Sequence, residues 1–399
     1  MDLLSGKRLV LGVCGSIAAY KVAQLARDLT LAGAQVDVIL TEAGARFVGA
    51  ATFQALTGRP VLTSLWDLPE DGVVGHIALG AQADAVVVAP ATANTIARLA
   101  AGLSDDLLTT VLLATRAPVL VAPAMNPLMY SHPATQANLV TLRERGYSLI
   151  EPGEGRMAEH VEGKGRLPEP FTLEGELRAM LGRATGPLRG RHVVVTAGGT
   201  REPIDPVRYI GNRSSGQMGH ALAAQARDMG AEVTLISSAI AIPPPAAVVF
   251  VPVATALEMQ AAVAAACTHA DILIMNAAVA DFRPASAAER KLKKHPETQG
   301  MTLELVTNPD IIGGLAARRD LFKVGFAAET DDLLAHAQSK LERKGLDLIV
   351  ANDAVASIGQ PEIALTLIDQ HGQQPIARCP KREAAALLMA ALVERLPRR

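Results

Sequence analysis

Short apolar, β-branched runs alternate along this chain with alanine- and leucine-rich stretches of helical period. In the first half the runs Leu9–Val13, Gln35–Leu40, Asp84–Ala89, Pro118–Ala122 and Ser148–Ile150 predict strands, and Ile17–Leu31 and Thr135–Arg145 predict helices. In the second half strands are predicted at Val193–Thr196, Val233–Ser237, Val248–Val251, Ile272–Asn276, Phe322–Phe326 and Leu348–Ala351, with helices at Met218–Met229 and Lys381–Leu396. Strands that are apolar on both faces and separated by helices belong to parallel sheets covered on both sides. The expected fold class is α/β, with two doubly wound, Rossmann-like domains.

Two stretches break the pattern. Gly153–Pro170 is rich in Gly, Glu and Pro and reads as too irregular for an element; a short helix and the polar junction Gly182–Arg191 follow, so the domain boundary is expected near residue 188. The stretch is long enough for a flap, although an ordinary exposed linker fits its composition equally. Thr196–Gly219 interrupts the second half with three arginines, four Ser or Thr hydroxyls and Asn212, between a predicted strand and a predicted helix. Polar loops at such strand-to-helix joints are where α/β proteins bind phosphates.

The remaining composition narrows the class. A chain of 399 residues exceeds one ordinary core, and two domains fit it. No run approaches the ~18 uncharged apolar residues of a membrane span, and Met1–Val13 passes into a strand without the features of a signal peptide, so the cytoplasm is expected. Net charge is −2, which leaves no overall signature of a nucleic-acid binder. Three scattered cysteines, Cys14, Cys267 and Cys379, read as reduced thiols, neither a disulfide framework nor a zinc site.

In the first half, the turn Gly12-Val13-Cys14-Gly15-Ser16 opens a helix and offers backbone amides and a hydroxyl to a phosphate. It lacks the full GxGxxG spacing, and Leu40-Thr41-Glu42 presents a hydroxyl first where a dinucleotide site needs an acid for the ribose. Two further strand ends, Pro90-Ala91-Thr92-Ala93-Asn94 and Pro123-Ala124-Met125-Asn126, add polar groups. His76 is a candidate acid, base or carboxylate contact; taken alone it reads first as a surface or internally satisfied histidine.

Together, GSIAAYK from Gly15, His76, PATANT from Pro90 and PAMNPLMY from Pro123 resemble, in order, the homo-oligomeric flavin-containing cysteine decarboxylases. The resemblance implies an FMN-dependent decarboxylase of phosphopantothenoylcysteine. Gly15, Ser16, Thr41 and Thr92 would hold the flavin, and His76, Asn126 and Met129 would face the substrate. In that family oxidation of the thiol-bearing carbon precedes loss of the carboxylate, the electrons return, and a proton donor on the flap completes the cycle. The family's flap pattern resembles ACGxxGxGRMxEP; here Ala158-Glu159-His160-Val161-Glu162-Gly163-Lys164-Gly165-Arg166 continues to Leu167-Pro168-Glu169-Pro170. Glu159 stands in the cysteine's place, so Glu159, His160, another group or water is the donor, and a solvated flap residue is an equal reading of Glu159.

The second half resembles the ligase that adds cysteine to 4′-phosphopantothenate. The resemblance rests on TAGGTREPIDPVRYIGNRSSGQMG from Thr196, NAAVADF from Asn276, KLKK from Lys291, NPDI from Asn308 and GFAAET from Gly325. Such a reaction attaches a nucleotide monophosphate to a carboxylate, expels pyrophosphate, and lets an amine attack the acyl carbon; cations and oriented donors must hold the triphosphate. Lys340 and Lys344, four apart on a predicted helix, suit a phosphate chain, and without the other motifs read as a solvated face. The resemblance implies CTP as the nucleotide, bound by Met275, Asn276, Ala277, Asp281, Lys291 and Phe326. Pro309, Asp310, Ile311, Ile312, Lys340 and Lys344 would complete that site. Asn212 and Arg208 would handle the acyl-cytidylate, and Ser214 and Ser215 would bind anionic groups. Mg2+ is expected from the triphosphate charge, with its protein ligands unassigned.

The two resemblances cover residues 1 to about 188 and about 189 to 399, and together imply a bifunctional enzyme of coenzyme A biosynthesis in which the second half acts first. Expected small-molecule partners are 4′-phosphopantothenate, cysteine and CTP; the relatives' habits imply a homo-oligomer, up to a dodecamer. Two rivals stay open: a two-domain oxidoreductase binding NAD(P), and a working ligase joined to an impaired or regulatory flavin-binding half.

Overall fold

The computed structural model describes residues 2–66, 75–156, 160–293, 300–329, 341, 343–353 and 359–397. It divides into two compact units, Met1–Ala184 and Thr185–Arg399.

The first unit is built on six parallel strands: β1 (Arg8–Val13), β2 (Gln35–Leu40), β3 (Val61–Leu62), β4 (Ala85–Ala91), β5 (Val119–Pro123) and β6 (Ser148–Leu149). Their spatial order is β3-β2-β1-β4-β5-β6, the doubly wound arrangement in which the chain reverses direction across the sheet between β1 and β4. Because side chains alternate across a strand, Leu9, Leu11 and Val13 enter the core on one face while Val10 and Cys14 enter the core on the other. The helix Ala19–Leu31 buries Ala19, Val22, Leu25, Ala26 and Leu29, a three-and-four spacing that puts one apolar stripe on the sheet. Full burial of a side chain such as Leu25 contributes roughly 1.5–3 kcal/mol. Asp106 starts the helix Leu107–Ala114 by a reciprocal cap with Thr109.

The Gly- and Glu-rich stretch corrects the sequence expectation. It contains an antiparallel hairpin, β7 (Gly153–Arg156) with β8 (Glu162–Arg166). Gly155 and Gly163 face each other with φ of 145° and 152°, which is why a hairpin forms there without an apolar alternation to announce it. The helix that follows is also longer than expected, sixteen residues over Pro170–Thr185, with Leu173, Leu177 and Met180 buried.

The second unit repeats the same order with an extension. Strands β9 (His192–Ala197), β12 (Glu232–Ser237), β13 (Val249–Pro252), β14 (Ile272–Met275), β17 (Phe322–Glu329) and β18 (Leu348–Asp353) are parallel. Two small ribbons, β10 (Arg201–Pro203) with β11 (Tyr209–Gly211) and β15 (Phe282–Pro284) with β16 (Leu305–Thr307), project from the carboxyl ends of β9 and β14. Two antiparallel strands outside the sequence prediction, β19 (Glu362–Asp369) and β20 (Gly372–Pro380), extend the sheet to the order β13-β12-β9-β14-β17-β18-β19-β20. In β19, Ile363, Leu365 and Leu367 are buried and alternate with Glu362, Ala364 and Thr366, the pattern of an antiparallel strand with one covered face. The helices Gln217–Asp228 and Lys381–Arg395 pack together on that face. Among the described residues no helix is long and apolar enough to cross a membrane.

Candidate active sites

In the second unit the direction of the chain reverses between β9 and β14, and the segments leaving these strands are stitched together. Gly199 bridges Ala278, the Ala278 amide donates to the Gly198 carbonyl at 2.8 Å, and the Ala280 amide donates to Thr200 Oγ1 at 2.9 Å. Thr196, fully buried, receives the Ala277 amide on its hydroxyl at 3.0 Å. Gly199 has to be glycine here because a Cβ would run into the Asn212 carbonyl. This close approach brings Asn212 over the end of β14, where its Nδ2 donates to the Val279 carbonyl at 3.2 Å.

Around this junction lies a cavity of about 760 Å3. One wall is Asn212 to Met218, including Ser214, Ser215 and the start of the helix Gln217–Asp228. Gly216, the residue before that helix, has φ 75°, and a Cβ there would collide with Ala239. The unpaired amides of such a terminus favour anions. A second wall is Met275 to Phe282, and a third is Thr307 to Ile312. Asn308 locks these two walls together, donating from Nδ2 to the Ala280 carbonyl at 2.8 Å and, by its backbone amide, to the Asp281 carbonyl at 2.8 Å.

Of the residues expected at the nucleotide, Met275, Asn276, Ala277, Asp281, Pro309, Asp310, Ile311, Ile312, Phe326 and Lys344 line this cavity, as do Asn212, Ser214 and Ser215. Lys344 Nζ is paired with Asp310, 3.0 Å from Oδ2, while Asp310 Oδ1 also receives the Gly313 amide at 3.1 Å. Arg208 and Lys291 are not among the lining residues. Arg208 is engaged with Asp205 and the Leu292 carbonyl, and Lys291 is exposed on the neighbouring segment. Lys340 lies outside the described residues.

Thr307, Asn352 and Lys381, outside the motifs that point to the nucleotide, also line the cavity. Lys381 opens the last helix, and burial pushes its ammonium pKa down from the usual lysine value. Its signal was a cation at the first position of a helix, where the dipole disfavours positive charge. Among the described residues no three acidic, His or Cys side chains stand together as a metal site.

In the first unit the expected flavin contacts lie on adjacent strand ends. Val13 pairs with Leu40, Gly12 with Val88, and Ala91 with Pro123, so the segments starting at Cys14, Thr41, Thr92 and Ala124 emerge side by side. Gly15 passes so close to the next loop that a Cβ would lie 2.5 Å from that of Ala43. Thr41 caps the helix Glu42–Ala45 and bonds the Val13 carbonyl at 3.1 Å; Thr92 caps Ala93–Ala101; Asn126 caps Pro127–Ser131. The Ser16 hydroxyl accepts the Ala18 amide at 3.3 Å. These are neutral hydroxyl and amide groups, a donor set that fits a phosphorylated cofactor with a polar ring edge. Cys14, buried beneath them, has its thiol pushed up to about 11 by burial, so it stays a neutral packing group.

His76, half-buried, is the second residue of the helix Gly75–Gln82, and Met129 is half-exposed beside Asn126. The hairpin is docked on this region by the Met125 amide, which donates to the Gly165 carbonyl at 3.0 Å, and by Lys164, paired with Glu151 at 2.6 Å. Lys164 holds the Glu151 carboxyl below its usual range, and Tyr130 donates to the same carboxylate at 3.0 Å. Glu159 falls outside the described residues; His160, with φ 63°, sits in the hairpin turn with Nδ1 3.1 Å from Arg156 Nη2.

Comparison with known proteins follows the same division. Residues 2–180 match the Flavoprotein family, and residues 188–396 match the family described as DNA/pantothenate metabolism flavoprotein C-terminal domain. The chain is 46% identical over 402 residues to the Coenzyme A biosynthesis bifunctional protein CoaBC of Vibrio cholerae, spanning 99% of this chain and 100% of that protein. It is 50% identical over 362 residues to the protein of the same name from Mycobacterium tuberculosis, spanning 87% of this chain and 86% of that one. A solved structure of the C-terminal domain of such a protein aligns at 33% identity and a TM-score of 0.45, over 53% of this chain and 97% of that domain. With full-length relatives at this identity, the chain belongs to the family of bifunctional coenzyme A biosynthesis proteins.

Proposed function

We propose that the second unit joins cysteine to 4′-phosphopantothenate at the expense of CTP, and that the first unit decarboxylates the product, 4′-phosphopantothenoylcysteine, to 4′-phosphopantetheine. The observation that carries the ligase assignment is the convergence of Asn212, the Ser214–Ser215 helix start, Asn276–Asp281 and Pro309–Ile312 on one cavity. Its walls suit three separate demands. Helix amides and serine hydroxyls stabilise an anion, Lys344 supplies a cation to the phosphate chain, and Asn212 stands beside the carbonyl-rich end of β14 where an acyl group has to be held. A substrate carboxylate oxygen attacks the α-phosphorus of CTP as pyrophosphate leaves. The cysteine amine then attacks the acyl carbon, the bond to the cytidylate oxygen breaks, and the amine proton is released. Mg2+ would be carried by the phosphates and water.

In the first unit Gly15, Ser16, Thr41 and Thr92 would hold FMN, which when bound supplies reversible two-electron chemistry at the thiol-bearing carbon. His76, Asn126 and Met129 would orient the substrate, with the hairpin closing over it to exclude water. Glu159 or His160 is proposed to return the proton. We also infer a cytoplasmic protein and a homo-oligomer; the second reading is supported by large apolar side chains exposed beside the strand ends, such as Ile17, Tyr20 and Leu128.

The test is reconstitution with the purified chain. A yellow protein should release at most about one pyrophosphate per site from CTP and 4′-phosphopantothenate alone, turn over repeatedly only when cysteine is added, and release CO2 from the isolated acyl-cysteine. No pyrophosphate at all, or no acyl-cysteine product when cysteine is added, overturns the ligase assignment; no CO2 from the supplied intermediate overturns the decarboxylase assignment. Glu159→Ala with unchanged product formation and flavin reoxidation removes Glu159 as donor.

A further inference from the structure

Asp205 belongs to none of the groups assigned to the reaction, yet it is buried and accepts five hydrogen bonds. Its Oδ1 receives the Val207 and Arg208 amides at 2.8 and 2.9 Å. Its Oδ2 receives Arg208 Nε at 3.0 Å, Arg208 Nη2 at 2.5 Å and the Leu292 amide at 3.1 Å. The same Arg208 Nη2 donates to the Leu292 carbonyl at 2.6 Å. Leu292 is therefore gripped by both its backbone polar groups, across more than eighty residues of sequence. A further backbone bond, from the Ala288 amide to the Ile204 carbonyl at 2.9 Å, ties the start of the same stretch to the same loop. The side chains of Lys291, Leu292 and Lys293 are exposed, so packing contributes little to holding them.

We infer that Asp205 and Arg208 form a clasp whose task is to fix the Lys291-bearing segment, which stands outside the lining of the ligase cavity, where Lys291 can serve a phosphate bound there, and that Arg208 acts through the Leu292 backbone. This inference rests on the ligase assignment above. The geometry is selective for these residue types. The planar guanidinium sets Nε and Nη2 together on Asp205 while Nη2 also reaches the Leu292 carbonyl, a two-nitrogen fork that the single ammonium of lysine on a flexible stem does not reproduce. A carboxylate offers acceptors to all five donors, whereas an asparagine amide in its place turns a donor toward the Leu292 N–H. The Arg208 guanidinium holds the Asp205 carboxyl well below the usual carboxylate range, so the clasp stays charged through neutral and mildly acidic pH. Asp205 is thus a positioning residue, and the loop that carries Asn212 also sets where Lys291 stands.

The test uses the full chain carrying Asp205→Asn or, at a half-exposed position that leaves the buried carboxylate intact, Arg208→Lys. Amide hydrogen exchange is followed without nucleotide, and CTP-dependent pyrophosphate release is measured in each variant, in Lys291→Ala, and in the Asp205→Asn/Lys291→Ala double variant. Each clasp variant should speed exchange at Leu292 by about tenfold or more while leaving β12 unchanged, the loss expected for hydrogen bonds to a charged group. Activity at limiting CTP should fall roughly ten- to a hundredfold, and the double variant should be no worse than the poorer single variant within about twofold. Unchanged exchange at Leu292 in Arg208→Lys, or activity losses that multiply in the double variant, overturns the clasp. A wild-type chain that releases no pyrophosphate overturns the ligase assignment instead, and the exchange measurement still decides whether the clasp exists.

Discussion

The same strand order leads to two different kinds of site. In the first unit, Ser16, Thr41, Thr92 and Asn126 stand on neighbouring strand ends, each next to exposed or half-exposed chain, and Ile17, next to Ser16, and Leu128, two residues after Asn126, have their apolar side chains in solvent. In the second unit the ends of β9 and β14 carry the ribbons β10–β11 and β15–β16, and the connecting chain builds walls around a cavity of about 760 Å3. The difference lies in what is inserted after equivalent strands. A sheet fixes where a ligand can be met; the loops decide how much of it a single chain encloses.

The sharpest way to separate the two units is Asn212→Asp. A carboxylate set against the Val279 carbonyl repels it and loses the Nδ2 donor, so ligase turnover should drop about a hundredfold or more while CO2 release from supplied acyl-cysteine persists. Equal losses in both assays would mean that the units do not act separately. Next in size is Gly199→Ala. Its Cβ would drive the Asn212 carbonyl away, so the second unit should lose about 1–3 kcal/mol in denaturant unfolding, with a parallel fall in pyrophosphate release.

The corresponding change in the first unit is Thr92→Ala. It removes the cap on Ala93–Ala101 and should cost about 1 kcal/mol, together with weaker flavin retention on gel filtration; full retention would remove Thr92 from the flavin contacts. The smallest effect concerns acid. The Asp205 carboxyl is depressed on folding, so the stability it contributes is present above the unfolded value of about 3.9 and is lost as pH falls toward the folded one. Urea midpoints of the second unit should therefore fall below roughly pH 4, and Asp205→Asn should flatten that limb. Glu151 is held low in the same sense by Lys164 but is 56% exposed, so Glu151→Gln should change the first unit's acid limb less.

Much of the sheet was readable because it depends on local composition. Runs such as Leu9–Val13 and Ile272–Met275 are apolar on both faces, and helices such as Ala19–Leu31 carry a stripe at every third or fourth residue. The hairpin β7–β8 escaped because its residues are Gly, Glu, Lys and Arg, and its pairing follows from glycine geometry and docking on Met125. The strand β19 carried a readable alternation in Ile363, Leu365 and Leu367, but a polar β20 beside it obscured the pair.

The segments that carry chemistry were legible from the residues alone, because Asn212, Asp281, Asp310 and Thr92 sit in polar turns that a core has no use for, and because these turns resemble known motifs. Folding alone sets which of them share a cavity, brings Lys381 to it from the last helix, and turns Arg208 away to grip Asp205 and Leu292. Distance along the chain accounts for the division. Propensity and periodicity are written in neighbouring residues, whereas a buried carboxylate accepting an amide from 87 residues away is a property of the folded sheet and its loops alone.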